Sequence, residues 1–314
     1  MRLLKAAAVI IAIAIPIIAI PYFFAASAGF LYDKADPRDR TVEVYDAEKG
    51  EKVTMSLFDY LCGAVAAEMP ALYGDEALKA QAVACRTYYE KRAAAGGSDA
   101  HDGAAVCTSS SHCSAFLSEE RQKQRWGGKY DLYRKKIENA VSAVMNKIIT
   151  YNGAPIDAVY FSRSSGKTEN ASDVWGKNVP YLVSVDSSVD AGDGLEKTVS
   201  FTADEFSEKL LSKYPSADIS DLSASVNSRD GAGYVASLTL CGVTMTGREA
   251  KSLFSLPSAD FDITTAENGA VFTVRGKGHG VGMSQYGANV MASLGYGFED
   301  IIKHYYTGVE ITEV

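Results

Sequence analysis

The sequence has no basic patch: 31 Lys and Arg stand against 39 Asp and Glu, giving a net charge of −8 and a pI near 5.2. That balance argues against nucleic acid as a partner. There is no internal repeat and no low-complexity segment, so a solenoid and a disordered tract are not in view. The glycine-rich stretch from Gly276 holds no phosphate-loop Gly-Lys-Ser/Thr. It also fails the dinucleotide register, because Val281 and Met283 stand where GxGxxG starting at Gly276 or Gly278 needs glycine. Cysteine is scarce and odd in number, five in 314 residues, so a disulfide framework would leave at least one thiol over. Cys62, Cys85 and Cys241 lie in patterned segments and read as small buried apolar residues. What is present is 47% hydrophobic and 22% charged, the balance of a folded globular chain with one large domain or two small ones.

One run lacks charge altogether. Ala6 to Tyr32 contains no charged side chain, and about 20 apolar residues suffice to span a bilayer core. Arg2 and Lys5 precede the run and Asp33 follows, which places the N-terminus in the cytoplasm and the remainder outside. Pro16 and Pro21 kink such a helix without preventing insertion. Ala26-Ser27-Ala28 resembles a signal-peptide cleavage site, but the run exceeds the ~7–15 apolar residues of a signal sequence. The expectation is an uncleaved, single-pass anchor in the cell membrane over residues 1–32.

Beyond the anchor, helical and strand patterns mix without regular β-α-β alternation, which points to α+β. Thr41–Tyr45 and Lys52–Leu57 alternate around Glu48-Lys49-Gly50 and predict a hairpin. Residues 93–128 form a loop-rich insertion full of Gly, Ser and Ala. A helix is expected from about Tyr130 to Asn146, and Asn152-Gly153 joins two strands, IITY and APIDAVYF. A second unit starts near residue 198: a capped helix with Thr202 and Glu205 as a capping box, then several strands, then a helix from about Ser284 to Leu294. The expected architecture is two subdomains, 41–197 and 198–314, around a groove.

The stretch from Leu57 to Arg92 organises the rest. Leu57, Leu61, Ala64, Val65 and Glu68 share a helical stripe, and Pro70 ends that helix near Met69. Gly74-Asp75 then starts a second helix running to about Arg92. A carboxyl group at the end of an otherwise apolar helix is partly desolvated and sits at the negative end of the dipole. Both effects raise its pKa, and a carboxyl that stays protonated near neutrality serves as a general acid. The bland alternative is a helix-end Glu turned to water.

Two more clusters stand out. In HDGAAVCTSSSHCSAF, His101, Cys107 and Cys113 are spaced six apart and His112 adjoins Cys113. Thiolate and imidazole together suit zinc, while a Cys107–Cys113 disulfide is the competing reading. The glycines from Gly276 to Gly282 let the backbone approach a ligand closely, with His279, Ser284, Gln285 and Tyr286 as neutral donors suited to a sugar. The competing reading is a tight turn with His279 bonded internally.

The AAEMP corner with ALKAQAVACRTYYEKR resembles the stage II sporulation protein D family. So do SSGKTENASDVWGKNVPYLVSVDS from Ser164, MTGREAKSLFSLPSADFDI from Met245, and GKGHGVGMSQYGANVMASLGYGFEDIIKHYYTGVEI from Gly276. The resemblance covers nearly the whole chain beyond residue 40. It implies a membrane-anchored lytic transglycosylase of spore-forming bacteria, with Glu68 as the catalytic acid and base. It also implies one zinc ion held by His101, Cys107 and Cys113, with His112 or water as the fourth ligand. Gln81, Arg86, Ser164, Ser165, Lys167, His279, Ser284, Gln285 and Tyr286 become substrate-contact candidates, Arg86 rather as an orienting residue. The implied substrate is peptidoglycan glycan strands stripped of stem peptides, and the implied partners are the stage II sporulation amidase P and membrane protein M during engulfment. A zinc-dependent peptidoglycan hydrolase and a non-catalytic glycan-binding or amidase-enhancing module are the other readings.

Overall fold

A computed structural model describes residues 39–110, 112–192 and 194–314. The expected anchor, Ala6 to Tyr32, lies outside the described residues, and no helix among those described is long and apolar enough to cross a membrane. The architecture is mixed α+β, built on two hydrophobic cores.

The first core begins with the expected hairpin, β1 (Thr41–Asp46) and β2 (Glu51–Ser56), paired antiparallel from Thr41↔Ser56 to Asp46↔Glu51. Ser56 caps α1 (Leu57–Glu68) by accepting from the Asp59 N–H. Met69 leaves the helix in an extended conformation, as the following Pro70 requires. The second helix, α2 (Asp75–Ala94), is the centre of the molecule. Its Ala77, Leu78, Ala80, Gln81, Ala82, Val83, Ala84 and Cys85 are all buried, because α1, further helices and a strand pack around it. Alanine side chains let those neighbours approach closely.

The insertion is less irregular than its composition suggests. It holds β3 (Val106–Cys107), parallel to β1, and α3 (Glu119–Trp126), capped by Ser118. The next helix, α4 (Tyr130–Ala143), ends three residues short of the expected Asn146. β4 (Lys147–Tyr151) and β5 (Ala154–Pro155) flank Asn152-Gly153, both at positive φ (51° and 77°), the backbone that a two-residue hairpin demands. The expected strand APIDAVYF, however, divides: β5 pairs with β4, whereas β6 (Tyr160–Phe161) pairs elsewhere. The short helix α5 (Ala171–Trp175) follows.

The second core stacks two three-stranded sheets. β7 (Glu196–Thr202), β11 (Asp260–Ala266) and β12 (Gly269–Arg275) form one; β8 (Ala224–Arg229), β9 (Val235–Leu240) and β10 (Val243–Met245) form the other. α6 (Ala203–Lys213) and α7 (Gly247–Leu253) cover them, each opened by a capping box, Thr202 with Glu205 and Thr246 with Glu249. Phe206, Phe254, Phe261 and Phe272 pack ring on ring at their centre.

The chain then returns. β13 (Met283–Ser284) runs parallel to β6, with Met283 opposite Tyr160. α8 (Gln285–Ser293), α9 (Phe298–Tyr305) and β14 (Glu310–Glu313) follow. Val281, Met283, Ala288, Ile301, Tyr305 and Tyr306 all belong to the first core, so the unit expected over 198–314 is shared between both.

Candidate active site

Glu68 is the last residue of α1, and its side chain turns inward. Its Oε1 accepts the Ala115 N–H at 2.6 Å. The Tyr160 hydroxyl, from β6, also hydrogen-bonds the carboxyl. Burial pushes the Glu68 pKa above the ordinary carboxylate value, and the Ala115 and Tyr160 hydrogen bonds pull it partly back. The result is a carboxyl that favours its proton yet stabilises the anion once the proton has left. Beside it, Ala67 and Ala115 line a cavity of about 680 Å³ together with Asp46, Glu48, Glu120, Arg121 and Arg125.

A buried relay ties this corner to the glycine-rich turn. The Tyr160 hydroxyl and Ser114 Oγ share a hydrogen bond of 2.9 Å, and the hydroxyl lies 3.8 Å from Cys85 Sγ. Gln81 Nε2 donates to Cys85 Sγ at 3.3 Å, and Gln285 Nε2 donates to Gln81 Oε1 at 3.2 Å. Burial pushes the Cys85 thiol up to about 12, so it stays neutral. Gln81, Gln285 and Glu68 are thus connected through side chains far apart in sequence.

His279 occupies a different position. Tyr160 and Phe161 are successive residues of β6 and face opposite ways; Tyr160 turns to Glu68, while Phe161 packs against the His279 ring at 5.7 Å between centroids. His279 Nδ1 accepts the Val281 N–H at 3.1 Å, and the ring also bonds the Tyr160 backbone. Burial depresses its pKa to about 4, so it is neutral. In this arrangement His279 braces the strand that carries Tyr160 and does not touch Glu68.

The remaining candidates divide similarly. Ser284 caps α8 and donates to Asp190 Oδ1 at 2.9 Å. The Tyr286 ring lies 4.0 Å beneath the Arg163 guanidinium and lines a cavity of about 500 Å³ with Tyr73, Lys197 and Lys277. Ser164 closes a turn, donating to the Lys167 carbonyl at 2.9 Å and accepting from the Gly166 N–H. That turn abuts the glycine motif: Arg163 and Lys277 exchange backbone hydrogen bonds, and a Cβ on Gly276 would meet the Arg163 carbonyl at 2.8 Å. Ser165 is part-buried in the same turn and Lys167 is exposed. Arg86 is buried and committed to Glu90 (2.7 Å) and the Met145 carbonyl (2.6 Å), away from Glu68.

The cysteine and histidine loop forms a four-donor cluster. Ligand atoms of His101, Cys107, His112 and Cys113 all lie within 4.8 Å of one another. Tetrahedral zinc bonds of ~2.0–2.3 Å place donors about 3.3–3.8 Å apart, so the set fits one ion after a small contraction. All five cysteines are free, and no Cys107–Cys113 disulfide forms. Cys107 ends β3, and Ala115, which holds Glu68, follows Cys113 by two residues.

Three polar residues near these candidates were not singled out from the sequence. Tyr160 lay inside an alternating strand with nothing to separate it from a packing residue. Asp190 is fully buried under α8, accepting from Ser187 (2.6 Å) and Ser284, and burial raises its pKa to about 6. Glu169 is buried as well and sat within the motif from Ser164, but nothing in that motif marked it as an acid.

The chain is similar to known proteins over most of its length. The family model for stage II sporulation protein matches residues 45–151. The stage II sporulation protein D of Bacillus subtilis (strain 168) is 38% identical over 289 residues, covering 92% of this chain and 83% of that protein. Its counterpart in Bacillus amyloliquefaciens is 37% identical over 274 residues, 87% of this chain and 79% of that one. The amidase enhancer of Bacillus subtilis (strain 168) is 29% identical, with 80% of this chain aligned to 40% of its length. Identity at that level, running from the hairpin through Glu68 and across both cores, makes this chain a member of the stage II sporulation protein D family.

Proposed function

We propose that the protein is a lytic transglycosylase that cleaves peptidoglycan glycan strands stripped of stem peptides, leaving 1,6-anhydro-N-acetylmuramic acid ends. The observation that carries this reading is the environment of Glu68: its proton is held by burial and balanced by one backbone N–H and one tyrosine hydroxyl, while Asp46, Glu48 and Glu120 line the adjoining cavity without being among the groups that shift it. Hydrolytic glycosidases pair two carboxylates across the bond. A carboxyl whose proton is held by burial rather than by a partner carboxylate suits a reaction in which the substrate supplies its own nucleophile. Protonated Glu68 donates to the glycosidic oxygen as the bond to the anomeric carbon breaks. The resulting carboxylate then takes the proton of the same sugar's 6-hydroxyl while that oxygen bonds the anomeric carbon. Intramolecular attack needs no activated water. Tyr160 and the Ala115 N–H stabilise the carboxylate between the two proton transfers.

His101, Cys107, His112 and Cys113 would hold one zinc ion. If all four served as ligands, no position would be left for a water, and the ion would supply rigidity to this loop rather than an activated water. That makes a zinc hydrolase the weaker reading. The resemblance further implies anchoring by residues 1–32, an extracytoplasmic site, and action during engulfment beside the stage II sporulation amidase P, which would supply peptide-free strands, and membrane protein M. The amidase enhancer among the relatives favours one alternative, a glycan-binding module that stimulates an amidase without cleaving.

The test is to incubate the full chain with peptide-free glycan strands, wild type beside Glu68→Gln, and to weigh the products. Anhydro ends from wild type alone are expected. Glycan binding with no new ends would leave the module; hydrated reducing ends, or cleavage that survives Glu68→Gln, would overturn the assignment.

A further inference from the structure

A third cavity, of about 400 Å³, lies where the chain of the first core meets that of the second. Glu169 and Trp175 come from the segment after β6, Tyr234 from the start of β9, Arg248 and Lys251 from α7, and His279 from the glycine turn. The functional reading above uses only His279, and only as a brace.

Three features mark this cavity as a binding site rather than a packing gap. Glu169 is only 4% exposed and lines the cavity, yet its Oε2 has no hydrogen-bond partner among the described residues. A buried polar atom left so costs about 1–3 kcal/mol unless something else satisfies it. Space has been cleared for this side chain: Gly280 sits at φ +85°, and a Cβ there would strike Glu169 Cγ at 2.6 Å and the Tyr234 hydroxyl at 3.0 Å. Trp175 leaves 45% of its surface open, its ring 5.3 Å from His279. Finally, the positive charge is uncommitted. Arg248 makes no ion pair among the described residues, and Lys251 reaches only the Gly278 carbonyl, at 2.8 Å.

Together these groups offer a flat aromatic face, a guanidinium for an anion, and a carboxyl and a phenol for neutral polar groups. Burial, with Asp230 paired to the carboxyl and Asp173 nearby, raises the Glu169 pKa to about 8, so near neutrality it is uncharged and does not repel an anionic ligand. Arginine recognises carboxylates by paired hydrogen bonds, and the cavity is within the size range of small-ligand pockets.

We propose that this cavity binds one carboxylate-bearing sugar residue, with Trp175 against the ring, Arg248 on the carboxylate, and Glu169 and Tyr234 on hydroxyl or amide groups. Resting on the reading above, that residue is a muramoyl unit whose lactyl carboxylate is free because its peptide has been removed. The cavity thus selects stripped strands at a distance from Glu68, since an amide-linked peptide would abolish the carboxylate and crowd the mouth.

The chain has only two tryptophans, so Trp126→Phe leaves Trp175 as the sole indole reporter. Full-length Trp126→Phe protein, also carrying Glu68→Gln to prevent turnover, is titrated with N-acetylmuramic acid and with N-acetylglucosamine. Trp175 fluorescence is read alongside saturation-transfer NMR of the sugar. A saturable response to N-acetylmuramic acid is expected, at least tenfold weaker for N-acetylglucosamine. Arg248→Ala, an exposed position, is expected to weaken it at least tenfold; Glu169→Ala likewise, with Glu169→Gln retaining it. Equal binding of the two sugars, no response in either readout, or indifference to Arg248→Ala would overturn the proposal. Because binding is read without cleavage, the two readings fail separately: anhydro products without a sugar response at Trp175 would sink the cavity alone, and a response with no anhydro products would sink the transglycosylase alone.

Discussion

The Ala115 N–H donates to Glu68 Oε1 at 2.6 Å, two residues beyond Cys113. The loop that gathers two histidines and two cysteines is therefore the same loop that clamps the candidate acid. Anything that orders the cluster also holds Glu68 in place, so structural and chemical roles meet at one peptide group.

Replacing Glu68 by Gln keeps size and most packing but removes the proton. Anhydro-end formation, followed by mass spectrometry, is expected to fall about 10²–10⁴-fold. The circular dichroism spectrum and thermal midpoint should change little, because the Ala115 N–H still finds an oxygen.

Tyr160→Phe deletes a hydroxyl that bonds both Glu68 and Ser114. That hydrogen bond lowers the Glu68 pKa, so its loss should move the basic limb of the pH–rate profile to higher pH while slowing turnover. A cost of about 1 kcal/mol in chemical denaturation is expected. An unmoved basic limb would detach Tyr160 from the titrating group.

Purified protein is expected to carry about one zinc by elemental analysis. Cys107→Ser and Cys113→Ser should each lose the metal and lower the thermal midpoint. Chelation should do the same, with activity falling as the loop loosens rather than at once. Metal content unchanged in both variants would remove the site.

Gly287 opens α8 directly over the buried Asp190. A Cβ there would strike the Tyr305 hydroxyl at 2.0 Å and Asp190 Oδ2 at 3.0 Å. Gly287→Ala is expected to destabilise by about 1–3 kcal/mol in denaturant titration, although alanine is the better helix former.

Glu169 binds its proton more tightly in the folded chain, about 8 against an ordinary 4.5, under burial and the pull of Asp230 and Asp173, with Arg248 opposing. The folded state then holds more protons than the unfolded one between those values. Its contribution is fully present below about pH 4.5 and is lost as pH rises through 8. The unfolding free energy of Glu169→Gln relative to wild type should therefore gain steadily from pH 5 to pH 8 and then level off, by on the order of a few kcal/mol at most. A difference independent of pH would show that the carboxyl does not titrate there.

Local chemistry was legible without coordinates. Ser, Thr and Gly caps, Pro70 and the Asn152-Gly153 turn acted within a few residues, so α1, α2, α6 and the β4–β5 hairpin stand close to where their residues predict them. The apolar stripe ending at Glu68 likewise marked that carboxyl as shielded. Composition misled at the insertion, because Ser118 caps α3 within a Gly- and Ser-rich stretch, and at APIDAVYF, where one alternating pattern serves two sheets.

What the sequence by itself determined about this protein is its family motifs, its local elements and which carboxyl to watch. Only the tertiary structure decided that the segment after Val281 returns to the first core, that Tyr160 faces Glu68 while Phe161 faces His279, and that Glu169 lies buried beside Trp175 and Arg248. The reason is physical: caps and turns are set by neighbours along the chain, whereas desolvation and the facing of a strand are set by whatever the fold brings alongside.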